Sequence, residues 1–346
     1  MRFLVGIAKA MGAGRLIDVE HCHLVGSYFS GNADLQFLQR LVDTGARARV
    51  PTTLNASSAC LAKGSPSPAA EQDGARAVVR LYQAMGCDAQ LTCAPYHLPY
   101  RPKLGSRIAW AESNAVVFAN AVLGARTNKT VQYLDICTAL TGRTPEYGLY
   151  LDRIREPTCH IDCSGLPGEA WASPLAGELI GLWLGHHCGT RIPLISGCSQ
   201  RPHEDLLRGL GAAAASAGAL SLFHLQGVTP EAQLFSEAGL PSQKLTNDAL
   251  IATASDYRGK PNQEIRAVCL GAPHYSLDQL RTLAERVRAE NLQAKIPLYV
   301  TTSRFNRDQL QNELLAGDLA ARGVQLVTDA CSYYGNVIPN PGGPVS

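Results

Sequence analysis

Three short polar runs in the last quarter of the chain hold residue types that chemistry on a small molecule requires. They are Gly271-Ala272-Pro273-His274-Tyr275-Ser276, Thr301-Thr302-Ser303-Arg304 and Thr328-Asp329-Ala330-Cys331. Each follows an apolar run of strand type. Open α/β sheets bind ligands outside the carboxyl ends of their parallel strands, so residues directly after such strands are the ones to read for chemistry. His274 can serve as acid, base or metal ligand; a loop histidine bonded to backbone is the plain alternative. Arg304 offers a planar fork for a carboxylate or phosphate, or else a surface salt bridge. Cys331 stands at a strand end beside Asp329, with a buried inert thiol as its alternative. Ser276 and Ser303 also suit helix capping.

Two further clusters lie earlier. A helix beginning near Glu112 places Ser113 and Asn114 in its first turn, where unsatisfied N–H groups and the helix dipole favour anions. Asn120 lies one to two turns on, and Arg126 and Asn128 fall just past the end; simple capping is the alternative. The third cluster, between Asp135 and Gly148, holds Cys137, Thr141, Gly142, Arg143 and Glu146. Cys93 and the run Val50-Pro51-Thr52-Thr53-Leu54-Asn55 each follow another strand-type segment. No GxGxxG follows a strand, and neither a Walker-type phosphate loop nor a GxSxG elbow is present. His21-Cys22-His23 and His186-His187-Cys188 lack the matching half of a zinc site. Cys159 and Cys163 read as structural.

Alternating strands and helices must position these groups. Strands are predicted at 267–270, 296–301 and 324–328, with helices at 276–290 and 304–322 between them. That period of about 30 residues is the βαβ rhythm of a parallel sheet. The middle repeats it: strands at 158–162, 192–196 and 219–225, helices at 174–187 and 202–217. The first 150 residues are less regular, with helices near 34–42, 72–85 and 112–123. Residues 63–70 read as a solvated low-complexity loop. The division expected is 1–150, 151–260 and 261–346.

A chain of 346 residues, 46% hydrophobic and 17% charged, has ample material for a core, which excludes disorder. The net charge of +2 and 6% aromatic content give no basis for a nucleic-acid surface. No stretch approaches the ~18 apolar residues of a membrane span, and the N-terminal apolar patch reads as a helix, not a signal peptide. Eleven scattered cysteines, with no CxxC pair, fit reduced cytoplasmic thiols better than a disulfide framework. After residue 328 the sheet edge looks unfinished, and the proline-rich segment 337–346 offers no covering helix. A fragment of a longer chain, or a covering partner, would explain that.

Seven segments, taken in order, are specific enough to compare with a family. Pro51-Thr52-Thr53-Leu54-Asn55, Glu112 to Asn120, Leu123-Gly124-Ala125-Arg126-Thr127, Thr141-Gly142-Arg143-Thr144-Pro145, Gly271-Ala272-Pro273-His274, Thr301-Thr302-Ser303-Arg304 and Thr328-Asp329-Ala330-Cys331 together resemble the large subunit, or catalytic domain, of the aconitase X family. The resemblance covers nearly the whole chain. It implies an α/β fold of aconitase-like α/β/α layers with mostly parallel sheets. It implies an iron–sulfur cluster and dehydration of a small hydroxylated acid. One branch converts cis-3-hydroxy-L-proline to pyrroline-2-carboxylate; a second, mainly archaeal, dehydrates mevalonate 5-phosphate. The family's small swivelling domain, fused or separate, is absent here, so a small-subunit partner is expected.

The resemblance also assigns residues. Cys93 and Cys331 match ligand positions. Ala272 stands where the mevalonate-phosphate branch usually has cysteine. Asp135-Ile136-Cys137-Thr138-Ala139-Leu140-Thr141-Gly142-Arg143 matches a stretch of the hydroxyproline branch, which makes Cys137 the third expected ligand. Arg126, Arg143 and Arg304 are expected to hold the carboxylate, and Asn55, Ser113, Asn114 and Asn128 to orient substrate. His274 is expected as acid, with Ser303 and Arg304 beside it. The base is expected on the small domain. Competing readings are a mevalonate 5-phosphate dehydratase large subunit, a non-catalytic truncated relative and an isolated zinc-binding domain.

Overall fold

The computed structural model describes residues 1–62, 67–130, 132–259 and 264–332. Residues 63–66 of the expected solvated loop, and all of 337–346, lie outside the described residues. In the first part of the chain, α1 (Arg2–Ala10), β1 (Leu16–Asp18), β2 (Cys22–Leu24), α2 (Asn32–Asp43), β3 (Thr52–Leu54), α3 (Ala69–Ala84), β4 (Ala109–Trp110), α4 (Ser113–Val117), α5 (Gln132–Thr141) and β5 (Arg143–Pro145) follow one another. The middle holds β6 (Cys159–Asp162), α6 (Pro174–Cys188), β7 (Pro193–Ser196), α7 (Glu204–Gly218), β8 (His224–Leu225), β9 (Ser242–Lys244) and α8 (Asn247–Asp256). The last part holds β10 (Val268–Tyr275), α9 (Leu277–Ala289), β11 (Leu298–Thr302), α10 (Arg304–Asn312), α11 (Leu315–Ala321) and β12 (Val324–Val327).

The chain forms two compact units. The first comprises Met1–Cys22 and Tyr100–Gly259, the second His23–Pro99 and Lys260–Ser346. In the first unit, β8-β7-β6-β9 make a parallel sheet. Ile161 and Ile195 of that sheet share one core with Ile180, Leu184, Leu206 and Leu210 of α6 and α7. Ser173 caps α6 through Ala176 N–H, and Pro174 opens it, where its missing N–H costs nothing. The two helices touch backbone to backbone. A Cβ on Gly181 would sit 2.2 Å from Leu210 O, and one on Gly218 would sit 1.9 Å from Gly185 O. Only glycine fits there. Nearer the N-terminus, β1 pairs antiparallel with β5, and α1 packs on α5.

In the second unit β10-β11-β12 form a parallel sheet. Leu280, Ala284 and Val287 of α9 pack with Val300, Leu310, Leu319 and Val324. This is the predicted βαβαβ block. A capping box starts α9: Ser276 Oγ accepts from Gln279 N–H, and the Gln279 side chain accepts from Ser276 N–H. The pairing of β10 with β11 shifts register between Leu270 and Tyr275. Gly271 sits in that interruption at φ +104, and a Cβ there would meet Thr301 O at 2.4 Å. Both facts require glycine. β10 runs on to Tyr275, past the strand end expected at residue 270, so His274 is buried within the strand and not in a loop after it.

Several predicted elements differ. The single helix expected over 304–322 is two, because Leu314 adopts a left-handed conformation (φ +61) between α10 and α11. The helix expected over 112–123 is α-helical only to Val117 and continues as a π turn, Phe118–Val122. The strand expected at 219–225 shrinks to β8, since Ala219 (φ +59) is spent closing α7. Thr52–Leu54 is itself a strand, not the loop after one. Cys93 follows no strand; the nearest β-contact upstream is the bridge from Asp88 to Thr53. Helices α5 and α8 were missed. Their apolar positions carry only a weak helical period among many Thr, Ala and Ser residues.

Candidate active site

In the second unit three distant segments, around Ala56, Cys93 and Cys331, converge on two thiols. Cys93 and Cys331 pack with Ala56 in a buried cluster. The backbone N–H of His274 donates to Cys93 Sγ (3.2 Å). The His274 ring is fully buried. Its Nε2 lies 2.9 Å from Ala330 O, and its Nδ1 lies 3.2 Å from Thr92 Oγ1. A carbonyl can only accept, so Nε2 carries the proton and Nδ1 accepts from the Thr92 hydroxyl. Thr92 Oγ1 in turn accepts from Ala94 N–H (3.1 Å). His274 thereby ties the residue before Cys93 to the residue before Cys331. Both ring nitrogens are engaged, so acid chemistry on a ligand would require breaking one of these bonds.

Ser303 caps α10, its Oγ accepting from Asn306 N–H (3.0 Å). Arg304, the first residue of that helix, grips Asp329 through Nε and Nη2, the latter at 2.9 Å. Asp329 is almost fully buried, and its carboxylate raises the Arg304 pKa further above the ordinary guanidinium value. Nη1 of Arg304 makes no hydrogen bond among the described residues, and the side chain is 42% exposed. The fork is therefore held on one edge and open on the other. Asp329 itself sits at φ +74, and its carbonyl accepts from Ser57 N–H (2.7 Å). Asn55 is buried and folds its Oδ1 onto Ala56 N–H (2.8 Å), beside the thiol cluster.

In the first unit the expected substrate residues are held by protein partners. Ser113 Oγ and Asn114 Nδ2 both donate to Glu112 Oε1 (3.2 Å each). Arg126 donates to Tyr150 O (3.1 Å) and pairs with Asp152 and, at 3.7 Å, with Glu231. Asn128 spends both ends of its amide on the turn 147–149, donating to Tyr147 O (2.9 Å) and accepting from Leu149 N–H (2.8 Å). Arg143 forms a surface pair with Asp18 (2.9 Å). Cys137 is on α5, half-buried, and burial pushes its thiol pKa up.

A network that sequence reasoning missed underlies this region. Arg155 is 1% exposed. It forks onto Glu231 and donates to Asn120 Oδ1 (3.0 Å) and Leu149 O (3.1 Å). Burial lowers the Arg155 pKa, and Glu231 pulls it back up. The π turn aims Asn120 so that its side chain also clamps Thr127, accepting from its N–H (3.1 Å) and donating to its carbonyl (3.0 Å). No sequence pattern marked Arg155 or Glu231, whose partners are more than 70 residues apart.

The fit of these residues to an iron–sulfur group can be judged from the donors. Two thiols share one buried cluster, and one already accepts a backbone N–H, as thiolate ligands do. Cys93 and Cys331 therefore suit such a group as two of its ligands. Among the described residues no set of three or more His, Cys, Asp and Glu side chains is gathered for a metal ion. No disulfide joins any of the eleven cysteines. No helix among the described residues is long and apolar enough to cross a membrane.

These features define an α/β protein with parallel sheets and a buried pair of thiols. Comparison with known proteins identifies the family. Residues 1–153, 157–255 and 265–343 match the Aconitase X first, second and third domains. The cis-3-hydroxy-L-proline dehydratase of Pseudomonas aeruginosa is 39% identical over 340 residues, covering 96% of this chain and 58% of that protein. The phosphomevalonate dehydratase large subunit of Thermococcus kodakarensis is 33% identical over 307 residues, covering 88% of this chain and 76% of that one. The crystal structure of Thermococcus kodakaraensis aconitase X in its holo-form superposes with a TM-score of 0.87 at 29% identity, covering 95% of this chain and 83% of that one. The chain belongs to the aconitase X family.

Proposed function

We propose that the chain is the catalytic part of an iron–sulfur-dependent hydro-lyase that removes water from cis-3-hydroxy-L-proline to give pyrroline-2-carboxylate. The observation that carries this reading is the pair Cys93 and Cys331, brought into one buried cluster with His274 bonded to both of their loops. The similarity to a protein named for that reaction supports the substrate. So does Ala272, which stands where the other branch has cysteine. The activity would be carried by three parts, 1–150 with the polar motifs and Cys93, 151–260, and 261–346 with His274, Arg304 and Cys331.

Cys93 and Cys331, with Cys137 as third thiol, would hold the iron–sulfur group, which when bound supplies Lewis acidity toward the substrate's oxygens. His274 acts as a positioning residue for the two cysteine loops. Arg304, fixed by Asp329 and open at Nη1, holds the substrate carboxylate; Arg126 and Arg143 add positive charge, and Asn55, Ser113, Asn114 and Asn128 shape the polar surround. Ser303 sets the start of α10 and so the direction of Arg304. A small swivelling subunit supplies the base, and the protein works in the cytoplasm.

Purified anaerobically with a small-subunit candidate and iron, the chain is expected to form pyrroline-2-carboxylate from cis-3-hydroxy-L-proline. Turnover of mevalonate 5-phosphate alone would establish the second reading, which the large-subunit relative favours. No turnover of either acid, with iron and sulfide present, would leave a non-catalytic relative.

Arg304→Lys is expected to lower kcat/KM by roughly 10- to 100-fold, because lysine keeps the charge but loses the fork that Asp329 orients. Stability should fall much less than activity, since lysine keeps a positive charge opposite the buried Asp329 carboxylate and the guanidinium is itself 42% exposed. Parallel losses of activity and melting temperature would make Arg304 a structural ion pair.

A further inference from the structure

The motif His21-Cys22-His23 is not used by the reading above, yet His21 is built into the first unit with unusual care. It is 3% exposed. The link between β1 and β2 that carries it runs beside residues 107–109: Glu20 N–H donates to Arg107 O (2.8 Å), and Ala109 N–H donates to His21 O (2.9 Å). That middle segment pairs on its other side with Arg126, whose N–H donates to Ser106 O (2.8 Å) and whose carbonyl accepts from Ile108 N–H (3.0 Å). His21 thus stands one strand removed from Arg126.

The ring is fixed on two sides. Tyr100 stacks on it with centroids 4.3 Å apart and planes 6° apart. The indole Nε1–H of the fully buried Trp110 donates to His21 Nδ1 (3.0 Å). An indole N–H can only donate, so Nδ1 is bare and the neutral ring carries its proton on Nε2. Burial lowers the His21 pKa to about 4, which keeps the ring neutral through the physiological range. Among the described residues nothing accepts from Nε2–H. The nitrogen itself is reached by solvent, so a ligand oxygen can replace water as its acceptor without the ring having to move. A neutral imidazole of this kind stabilises charge on an oxygen without surrendering its proton.

We infer that His21 is a substrate-contacting residue, its Nε2–H donating a hydrogen bond to an oxygen of the bound hydroxy acid. This inference rests on the dehydratase reading. Trp110 and Tyr100 are its positioning residues.

Two substitutions separate contact from scaffolding. His21→Asn keeps an acceptor near the Nδ1 position for Trp110 and loses the distal donor. His21→Gln keeps a donor near the Nε2 position. Binding of cis-3-hydroxy-L-proline and of mevalonate 5-phosphate to the full chain, purified anaerobically with iron, is measured by calorimetry. The histidine ring nitrogens of the wild type are followed by NMR. We expect His21→Asn to weaken the bound acid at least tenfold with an unchanged melting temperature, and His21→Gln to stay within about threefold. The Nε2–H resonance should move on ligand addition. Wild-type affinity in His21→Asn, or an Nε2 resonance that ignores a ligand which does bind, overturns the inference while the dehydratase reading stands. Failure of the wild type to bind either acid overturns both.

Discussion

Glu231→Ala should be the most destabilising single substitution in the first unit, at roughly 3–5 kcal/mol, because it leaves the Arg155 guanidinium buried without its counter-charge. Arg155 is 1% exposed and commits three nitrogens to Glu231, Asn120 and Leu149. Losing Glu231 strands that charge among groups that cannot rehydrate it. The damage should spread to the Asn120–Thr127 clamp, since the same guanidinium donates to Asn120 Oδ1 and to Asn120 O. Denaturant unfolding followed by far-ultraviolet circular dichroism would read the loss directly. Replacing Arg155 and Glu231 together by Met and Leu should cost less than Glu231→Ala alone, because no charge then remains buried. A loss under about 1 kcal/mol for Glu231→Ala would mean that water reaches Arg155 and that the pair is not a buried one.

Cys331→Ser and Cys93→Ser should empty the iron site while leaving the fold in place. Even partners outside the ligand shell change metal affinity by about 10–100-fold, so losing a direct thiolate should cost at least that much. Iron and sulfide per chain after anaerobic reconstitution, and the visible absorption of the cluster, provide readouts that do not depend on turnover. Each substitution is nearly isosteric, and neither thiol bridges to another cysteine, so circular dichroism and melting should change little. Cys137→Ser tests the third ligand in the same assay. Iron retained in Cys137→Ser but lost in the other two would confine ligation to the second unit. Full iron content in all three variants would remove the cluster proposal.

Much of the framework around the candidate site was readable along the chain because strands and helix starts leave local marks. Ser276 and Ser303 marked where α9 and α10 begin, since a capping hydroxyl stands directly before the helix it caps. The βαβ rhythm followed from apolar runs recurring at a fixed interval, and it placed Arg304 and Cys331 after strands, whereas His274 lies within β10 and not after it. The same local logic misjudged 304–322 as one helix. A left-handed residue at Leu314 leaves no sequence mark when it is not glycine. It misjudged the setting of Cys93 too, whose loop is held by Thr92 bonding to a histidine 182 residues away.

What the sequence by itself determined is the parallel α/β framework and a list of candidate residues, because both follow from side-chain type and from short-range period. Only the tertiary structure decided how those side chains are occupied. Asp329 orients Arg304, and Asn128 is consumed by the turn at 147–149. His274 has no ring nitrogen to spare, whereas His21 has one. The physical reason is that hydrogen-bond capacity is finite. Each donor and acceptor can be spent once, and the partner that takes it comes from a part of the chain that no local pattern can name.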